Sequence, residues 1–308
     1  MGALDTHVRG EANGRSHTPP YKLMLVLAAA LWGGSFVVLK GALDVVPPSW
    51  LLGIRFVIAG CVMLLVFWRR VARMLDKPHV VAGVLLGVTG GLGYLIQNIG
   101  LVDTTPGHNA FLTATYCVMV PFIHWAFARV RPTVANVVAA LLALAGIGVL
   151  SHGGSEPMAL SWGDWMTLGG AFWFAVQIEV MVRVAPGHDI LCMTVVEFFV
   201  MGLVCLAYGA CAEPFPPISV FGGMDFWLQM GYLVLLASCV CTMFQNVGQA
   251  HVPPAQASLL LSLESVFGVL FSVVIYGEPL TVALAMGFML VFCAILLSEL
   301  SPLRQRAR

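Results

Sequence analysis

Polar side chains inside the long apolar stretches of this sequence are the residues most able to do chemistry. An ionisable or amide group at such a position needs a partner, water or a ligand, because an isolated charge is costly in hydrocarbon. The strongest candidates among them are three charged residues and two Gln-Asn pairs: Arg55, Glu197 and Glu264, then Gln97 with Asn98 and Gln245 with Asn246. Opposite charges at Arg55 and Glu197 would suit a zwitterionic or polar metabolite. Glu264 would suit a coupling role, because a carboxyl group deep in a membrane can bind and release a proton.

The two Gln-Asn pairs belong to a segment that occurs twice. Residues 95–133 and 243–281 align without a gap and share six identities. Gln97, Asn98, Gly100, Pro106, Leu112 and Thr133 match Gln245, Asn246, Gly248, Pro254, Leu260 and Thr281. The common order of amides, glycine, proline, apolar run and threonine indicates a duplication. Two similar apolar halves are typical of a transporter core.

The composition predicts that lipid surrounds most of this chain. Of the 308 residues 59% are hydrophobic and only 10% are charged, whereas soluble domains carry about 25% charge. The net charge of zero gives no indication of a nucleic-acid partner. The eight cysteines form no CxxC pair and the eight histidines no HExxH motif, so we predict no cofactor, no metal site and no soluble catalytic domain.

Apolar runs of about 20 residues can span the hydrocarbon core as helices. The sequence contains ten such segments: 21–43, 50–68, 80–101, 109–127, 134–150, 162–184, 190–208, 226–249, 255–276 and 282–300. Residues 1–20 lack the features of a cleaved signal peptide and are predicted to be a disordered cytoplasmic tail. Residues 301–308 form a second, basic tail.

The distribution of basic residues predicts the orientation. Thirteen of the fifteen Lys and Arg residues fall on one side of the ten predicted segments, and the other two, Lys40 and Arg55, fall within segments. Cytoplasmic connections carry the excess of Lys and Arg. We therefore expect both termini in the cytoplasm and a multi-pass protein of the plasma (inner) membrane.

The fold class that follows is an all-α integral membrane protein with an inverted five-plus-five repeat. Five crossings per half is an odd number, so the second half must enter the membrane in the opposite sense. The predicted repeats are residues 21–151 and 160–300, enclosing a central cavity. The Gln-Asn pairs then lie toward opposite membrane faces, as two gates would.

Helical spacing adds candidate cavity walls to the polar residues. Trp32 and Trp173 occupy similar places in the two halves, and Gln177 follows Trp173 by one turn. Tyr94 precedes Gln97 and Asn98 by about one helical turn, and Thr113 precedes Tyr116 by a similar step. Alternatives stay open, because aromatic residues also face lipid, Lys40 and Arg55 can reach the interface, and Glu264 and the amides can bond neighbouring helices.

Three stretches give the sequence a family resemblance. LAAALWGGSFVVLKGAL, WLLGIRFVIAG and LESVFGVLFSVVIYGEPLT resemble the EamA family of the drug/metabolite transporter superfamily, and the similarity extends from about residue 22 to 299. The resemblance implies a ten-helix exporter of small metabolites, often amino acids, with a cavity formed away from the fifth and tenth helices. Glu264-Ser265 departs from the Glu-Pro common in that family, and residues 128–131 depart from its Gly-Glu at the end of the fourth helix, which Gly277-Glu278 keeps in the second half.

The function expected from residues and resemblance together is secondary transport, most simply export of amino acids or related small metabolites by alternating access. Its partners would be that small-molecule substrate and the lipid bilayer, and a monomer would suffice. An uncoupled facilitator, or a structural or regulatory membrane protein without transport, remains the alternative. A membrane enzyme is disfavoured, because the scattered histidines form no catalytic pair.

Overall fold

The computed structural model describes residues 19–129, 131–152, 160–252, 254–277 and 279–306, and every regular element in these ranges is helical. The predicted N-terminal tail up to residue 18 lies outside the described residues, as do Gly153, Gly154, Glu156, Pro253 and Glu278. Predictions made for those positions therefore stay predictions.

Twelve α-helices follow one another along the described chain. They are α1 (Pro19–Leu43), α2 (Pro48–Met74), α3 (Lys77–Val102), α4 (Pro106–Thr113), α5 (Tyr116–Ala128), α6 (Val134–His152), α7 (Trp162–Val184), α8 (Ile190–Ala212), α9 (Met224–Gly231), α10 (Cys241–His251), α11 (Pro254–Phe271) and α12 (Val282–Arg306). A 3-10 helix covers Ile218–Gly222, and π-helical turns cover Tyr232–Val240 and Ser272–Tyr276.

Within the described residues, seven stretches are long and apolar enough to cross a membrane. They are Pro20–Leu43, Pro48–Met74, Lys77–Val102, Pro106–Phe127, Trp162–Val184, Ile190–Ala212 and Met224–His251. Three shorter apolar helices, measured within the described residues only, are Val134–Gly146, Leu260–Tyr276 and Ala285–Ala294. The protein is therefore a helical multi-pass membrane protein, while the count of ten crossings stays a prediction.

Several predicted helices, among them segments 109–127 and 226–249, have interruptions that hydropathy does not reveal. The predicted segment 109–127 is broken by a turn at Ala114 and Thr115, where the Thr115 hydroxyl donates to Leu112 O at 2.6 Å. Pro121 lies inside α5, beyond that turn. The predicted segment 226–249 contains the π-helical turns Tyr232–Val240, in which Ser238 Oγ donates to Leu233 O at 2.8 Å. Apolar runs predict length, whereas local hydrogen bonds decide where a helix tightens or widens.

One end of the bundle gathers the starts of α1 and α8 and the ends of α2 and α10. Tyr21 stacks on His251 with ring centroids 4.1 Å apart, and Arg70 donates twice to Asp189 Oδ2, at 2.6 and 2.8 Å. Basic residues concentrate at this end, which we call the basic face: Arg69, Arg70, Arg73, Lys77 and Arg183.

The opposite end gathers the ends of α1, α3 and α8 and the start of α2. Lys40 Nζ donates to the carbonyl oxygens of Leu101 and Val102 at 2.8 and 2.7 Å, and Ser49 bonds the Glu213 carboxylate. We call this end the acidic face, defined by Asp44, Asp103, Asp164 and Glu213. Successive connections thus lie at alternate ends, as membrane crossings require.

Close helix packing surrounds a central space. The principal pairs are α3 with α7, α2 with α8, α1 with α11 and α6 with α12. At Gly33 a side-chain carbon would lie 2.8 Å from the backbone nitrogen of Gly268, and at Gly170 it would lie 2.9 Å from that of Gln97. Small residues therefore allow α1–α11 and α3–α7 to approach, the usual way membrane helices pack.

Candidate functional site

A central cavity of about 40 Å³ lies between helices of both halves. Its lining comes from α1, α3, α4, α5, α7, α10 and α11: Trp32, Ser35, Phe36, Leu39, Tyr94, Gln97, Thr113, Tyr116, Phe174, Gln177, Ile178, Gln245, Leu261 and Glu264. The described residues of α6 and α12 do not contribute to it. A partly enclosed, mostly apolar space with a few polar groups has the kind of lining found in small-molecule sites.

Five of the lining residues are aromatic, and the wall behind them is tied down. Trp32 Nε1 donates to Ala237 O at 2.8 Å, so the indole N–H is engaged and the ring remains for the cavity. Tyr94 meets Phe174 edge to face at 5.0 Å and Phe56 at 5.1 Å. Such rings present broad apolar surfaces with a negative face. The remaining lining rings belong to Phe36 and Tyr116.

Glu264 carries the charge of this cavity. Among the described residues that line it, Glu264 alone has a charged side chain, and only 6% of the residue is exposed. Its Oε1 is buried without a hydrogen-bond partner. A buried carboxylate oxygen is normally paired, so an unpaired one facing a cavity suggests a group that binds a ligand or a proton.

Arg55 lies behind the cavity wall and not in it. The residue is fully buried, with Nε donating to Ser238 Oγ at 2.7 Å and Nη2 to Ala237 O at 3.0 Å. Its guanidinium carbon lies 5.6 Å from the centroid of the Tyr94 ring. In the described part of the chain no carboxylate forms an ion pair with it, and Nη1 is unpartnered. Arg55 therefore ties α2 to the π-helical turns behind Trp32 and Tyr94.

Glu197 is likewise buried behind the lining. It accepts from Gln177 Nε2 at 2.7 Å and from Asn246 Nδ2 at 2.8 Å. Asn246 also donates to Thr194 Oγ1 at 2.9 Å. The carboxylate thus connects α7, α8 and α10 and fixes the position of Gln177, which does line the cavity. Arg55 and Glu197 do not contact each other, and their expected role as opposed charge anchors stays a prediction.

The two Gln-Asn pairs divide between the cavity and the packing. Gln97 and Gln245 line the cavity, and Gln97 Nε2 donates to Thr113 Oγ1 at 2.8 Å. Asn98 is fully buried and donates to Tyr94 O one turn earlier at 2.8 Å. Asn246 belongs to the Glu197 network. In each pair the glutamine therefore faces the cavity and the asparagine faces neighbouring protein.

Trp173 is half-buried beside Phe172, at 5.9 Å between ring centroids, and is not part of the lining. Its neighbour Phe174 takes the place on the cavity wall. On α1, sequence reasoning identified Trp32 but missed Ser35, Phe36 and Leu39, although these three residues follow Trp32 at the i+3, i+4 and i+7 spacing of a single helix face. The other lining residues that sequence reasoning left out are Thr113, Ile178 and Leu261.

Contacts at the basic face also join the two halves. His124 Nδ1 lies 2.9 Å from Glu179 Oε2, and Arg183 donates to the other oxygen at 2.9 Å. His79 Nδ1 lies 2.6 Å from Asp76, while its Nε2 accepts the backbone N–H of Asp189 at 2.8 Å. Hydrogen bonds from the His79 backbone and then its ring lower the pKa of Asp76, which lies between α2 and α3.

The helical bundle and its central cavity, mostly apolar with a few polar groups, define the class, a multi-pass membrane protein with a space between its two halves. The chain belongs to the EamA-like transporter family, which it matches over residues 20–152 and again over 161–300. The names of the family and of the curated relatives indicate a membrane transporter and not an enzyme.

Individual relatives are similar over nearly the whole chain. An uncharacterized transporter of Archaeoglobus fulgidus is 30% identical over 284 residues, covering 90% of this chain and 85% of the relative. An S-adenosylmethionine/S-adenosylhomocysteine transporter of Chlamydia trachomatis is 25% identical over 303 residues, covering 90% and 88%. An uncharacterized inner membrane transporter of Escherichia coli K12 is 23% identical over 284 residues, covering 87% of each.

A solved crystal structure shares the fold with a TM-score of 0.68. The match covers 93% of this chain and 98% of that chain. Because the sequence identity is 19%, the similarity supports the fold and no statement about function.

Proposed function

We propose that the protein is a secondary transporter that exports amino acids or related small metabolites by alternating access. The observation that carries the proposal is the central cavity, which helices of both halves line and in which Glu264 presents an unpartnered carboxylate oxygen. A solute held at that depth can be released to either side if the two ends of the bundle open in turn.

The architecture proposed for this cycle has ten crossings in two inverted repeats, residues 21–151 and 160–300, with both termini cytoplasmic. The helix pairing supports it. Under exchange of the halves, the α2–α8 and α6–α12 pairs map onto themselves, and the α3–α7 contact has its counterpart in α10–α1. The basic face would be the cytoplasmic one, because Lys and Arg are enriched on that side.

Bonds between the halves at both ends support alternating access. Arg70 with Asp189 closes the basic face, and Ser49 with Glu213 closes the acidic face. Each bond joins a residue of the first half to one of the second, so rocking of the halves would break one set and keep the other.

Within this cycle, Trp32, Tyr94, Tyr116 and Gln177 would contact the substrate, together with Gln97 and Gln245. Glu264 would bind a proton when substrate is absent and release it when substrate enters, which couples export to a proton gradient. The position supports this role, because Glu264 lines the cavity and its Oε1 is buried without a hydrogen-bond partner.

Transport by purified protein tests the proposal. Liposomes containing the protein are loaded with labelled amino acids and related metabolites, and efflux is measured with and without a pH gradient. We expect a gradient to accelerate efflux of at least one compound, and Glu264→Gln to reduce that rate to the level measured without a gradient. Asp225→Asn is the matched control, because Asp225 is an exposed acid at the start of α9 and should leave the rate unchanged.

The outcomes separate the alternatives. Liposomes that release none of the compounds faster than protein-free liposomes would contradict the transport function. An efflux rate that changes neither with the pH gradient nor in Glu264→Gln would contradict proton coupling and identify an uncoupled facilitator.

A further inference from the structure

The charges around the central cavity restrict which solutes it can accept. Among the described residues of its lining, Glu264 is the one acidic residue, and none is Lys, Arg or His. A positive group on a solute therefore has a partner in the cavity once Glu264 has released its proton, while a negative group has no partner of opposite charge among those residues and is repelled by the same carboxylate. Charges are screened far less in a buried site than in water, so this difference is large.

We infer that the cavity selects organic cations that carry no carboxylate, so that an amine binds more tightly than the amino acid from which it derives. The inference rests on the proposed function and narrows its substrate class. The proposal of amino-acid export requires a partner for the α-carboxylate, and the lining offers only amide and hydroxyl groups for that purpose.

Arg55 is a candidate for a carboxylate partner, but two of its three nitrogens are already engaged and only Nη1 is unpartnered. Two of its nitrogens donate to Ser238 and Ala237, and the Tyr94 ring stands between the guanidinium and the cavity. The positive charge is thus directed at the π-helical turns. A solute carboxylate would have to displace Tyr94 to reach it.

The aromatic lining supplies the second recognition element for a cation. Trp32, Phe36, Tyr94, Tyr116 and Phe174 surround the same space as Glu264. A cation over the face of such a ring is attracted by the ring quadrupole, most strongly when water is excluded. The indole N–H of Trp32 is already bonded to Ala237, so this residue offers the ligand its ring and no donor.

The amide groups in the lining complement this arrangement. Gln177 donates one N–H to Glu197 and Gln97 donates one N–H to Thr113, so one of the two N–H groups of each amide is engaged, and each amide oxygen can accept from a ligand. Acceptors suit an ammonium group, whose N–H groups are all donors. The amide oxygens can therefore add to the attraction that Glu264 exerts on a positive group, and Glu264 supplies the charge that selects the sign.

Matched ligands of one ring system test the inference. Equilibrium dialysis of the purified full-length protein near neutral pH measures binding of tryptamine, tryptophan, tryptophan methyl ester and indole-3-propionate. We expect tryptamine to bind at least about tenfold more tightly than tryptophan, a difference of about 1.4 kcal/mol. The methyl ester, in which the carboxylate is neutralised, should approach tryptamine, and indole-3-propionate should bind most weakly.

Variants assign the effect to Glu264. Glu264→Gln should weaken tryptamine binding and reduce the difference between tryptamine and tryptophan, while Glu264→Asp and the control Asp225→Asn should keep it. Tryptophan or indole-3-propionate binding as tightly as tryptamine to the unaltered protein would overturn the inference, as would failure of all four ligands to bind. The wild-type ligand series decides the question even if Glu264→Gln does not fold.

Transport of the same ligands separates this inference from the proposed function. Tryptamine that binds but never crosses would contradict transport and leave the charge selection standing. Tryptophan that is exported faster than tryptamine would contradict the charge selection and leave transport standing.

Discussion

Removing the hydroxyl of Ser238 should destabilise the protein much more than the loss of one oxygen atom suggests. The hydroxyl accepts from Arg55 Nε at 2.7 Å and donates to Leu233 O at 2.8 Å, and it is fully buried. In Ser238→Ala the guanidinium loses one of its two hydrogen-bond partners in a place that water does not reach. Arg55 already has one unpartnered nitrogen, so a second would be added.

The expected magnitude follows from the two lost bonds. A hydrogen bond to a charged group contributes about 1.5–3 kcal/mol, and a neutral one about 0.5–1.5 kcal/mol. Serine to alanine leaves no large cavity, so little is added for packing. We therefore expect the free energy of unfolding to fall by about 2–4 kcal/mol. Denaturant titration of the purified protein in micelles, followed by circular dichroism, measures this change.

Thr89→Val is the matched control. Thr89 is 8% exposed, and its hydroxyl donates only to carbonyl oxygens of its own helix, Leu85 at 2.8 Å and Leu86 at 3.1 Å. Valine keeps the shape, and those carbonyls keep their helical partners, so the loss should be below about 1 kcal/mol. Equal destabilisation by the two substitutions would refute the idea that Ser238 compensates the buried charge of Arg55.

Two further substitutions test the Gln177 position and the basic face. Gly90→Ala would place a methyl group 2.8 Å from Gln177 Nε2 and, still closer, against the flexible end of the Met201 side chain. We expect weaker ligand binding in dialysis, whereas Gly231→Ala, with open space around it, should bind normally. Unchanged binding in both would contradict a role for Gln177. Arg70→Gln removes the partner of Asp189, whose pKa is raised by burial but lowered overall by the Arg70 guanidinium and a backbone N–H. Because the folded pKa is depressed, this stabilisation is present above about pH 3.9 and is lost as the pH falls through the lower folded value. We therefore expect the free energy of unfolding of the wild type to exceed that of Arg70→Gln by at most about 1 kcal/mol near neutral pH, since the Arg70 side chain is 57% exposed. When denaturant titrations are repeated at lower pH, the free energies of unfolding of the two proteins should become equal. A difference that grows in acid would contradict the pairing.

Hydropathy and charge were sufficient to predict helical spans and their places along the chain. A backbone in hydrocarbon must satisfy its own hydrogen bonds, so a long apolar run has few options besides a helix. The seven long apolar helices and three shorter ones fall on the ten predicted segments. What the apolar runs did not reveal were the turn at Ala114 and the π-helical turns around Ser238, because these depend on individual hydrogen bonds.

Residue type and approximate depth also placed candidate side chains near the centre. Of the twelve residues singled out from sequence, the structure brings seven into the cavity lining: Trp32, Tyr94, Gln97, Tyr116, Gln177, Gln245 and Glu264. Polar side chains are costly in hydrocarbon, so those in the middle of a membrane helix are expected to face the interior of the bundle.

Which face each helix turns to the cavity was decided by tertiary packing alone. Successive residues of a helix point about 100° apart. Gln97 therefore lines the cavity while its neighbour Asn98 does not, and Phe174 lines it while Trp173 does not. Arg55 and Glu197 illustrate the same point with charge, since both are fully buried and both bond to neighbouring protein groups. The sequence by itself determined that this chain crosses the membrane with charges buried inside it. Only the packing of the helices, which sets their rotation, decided that Glu264 is the charge that faces the cavity.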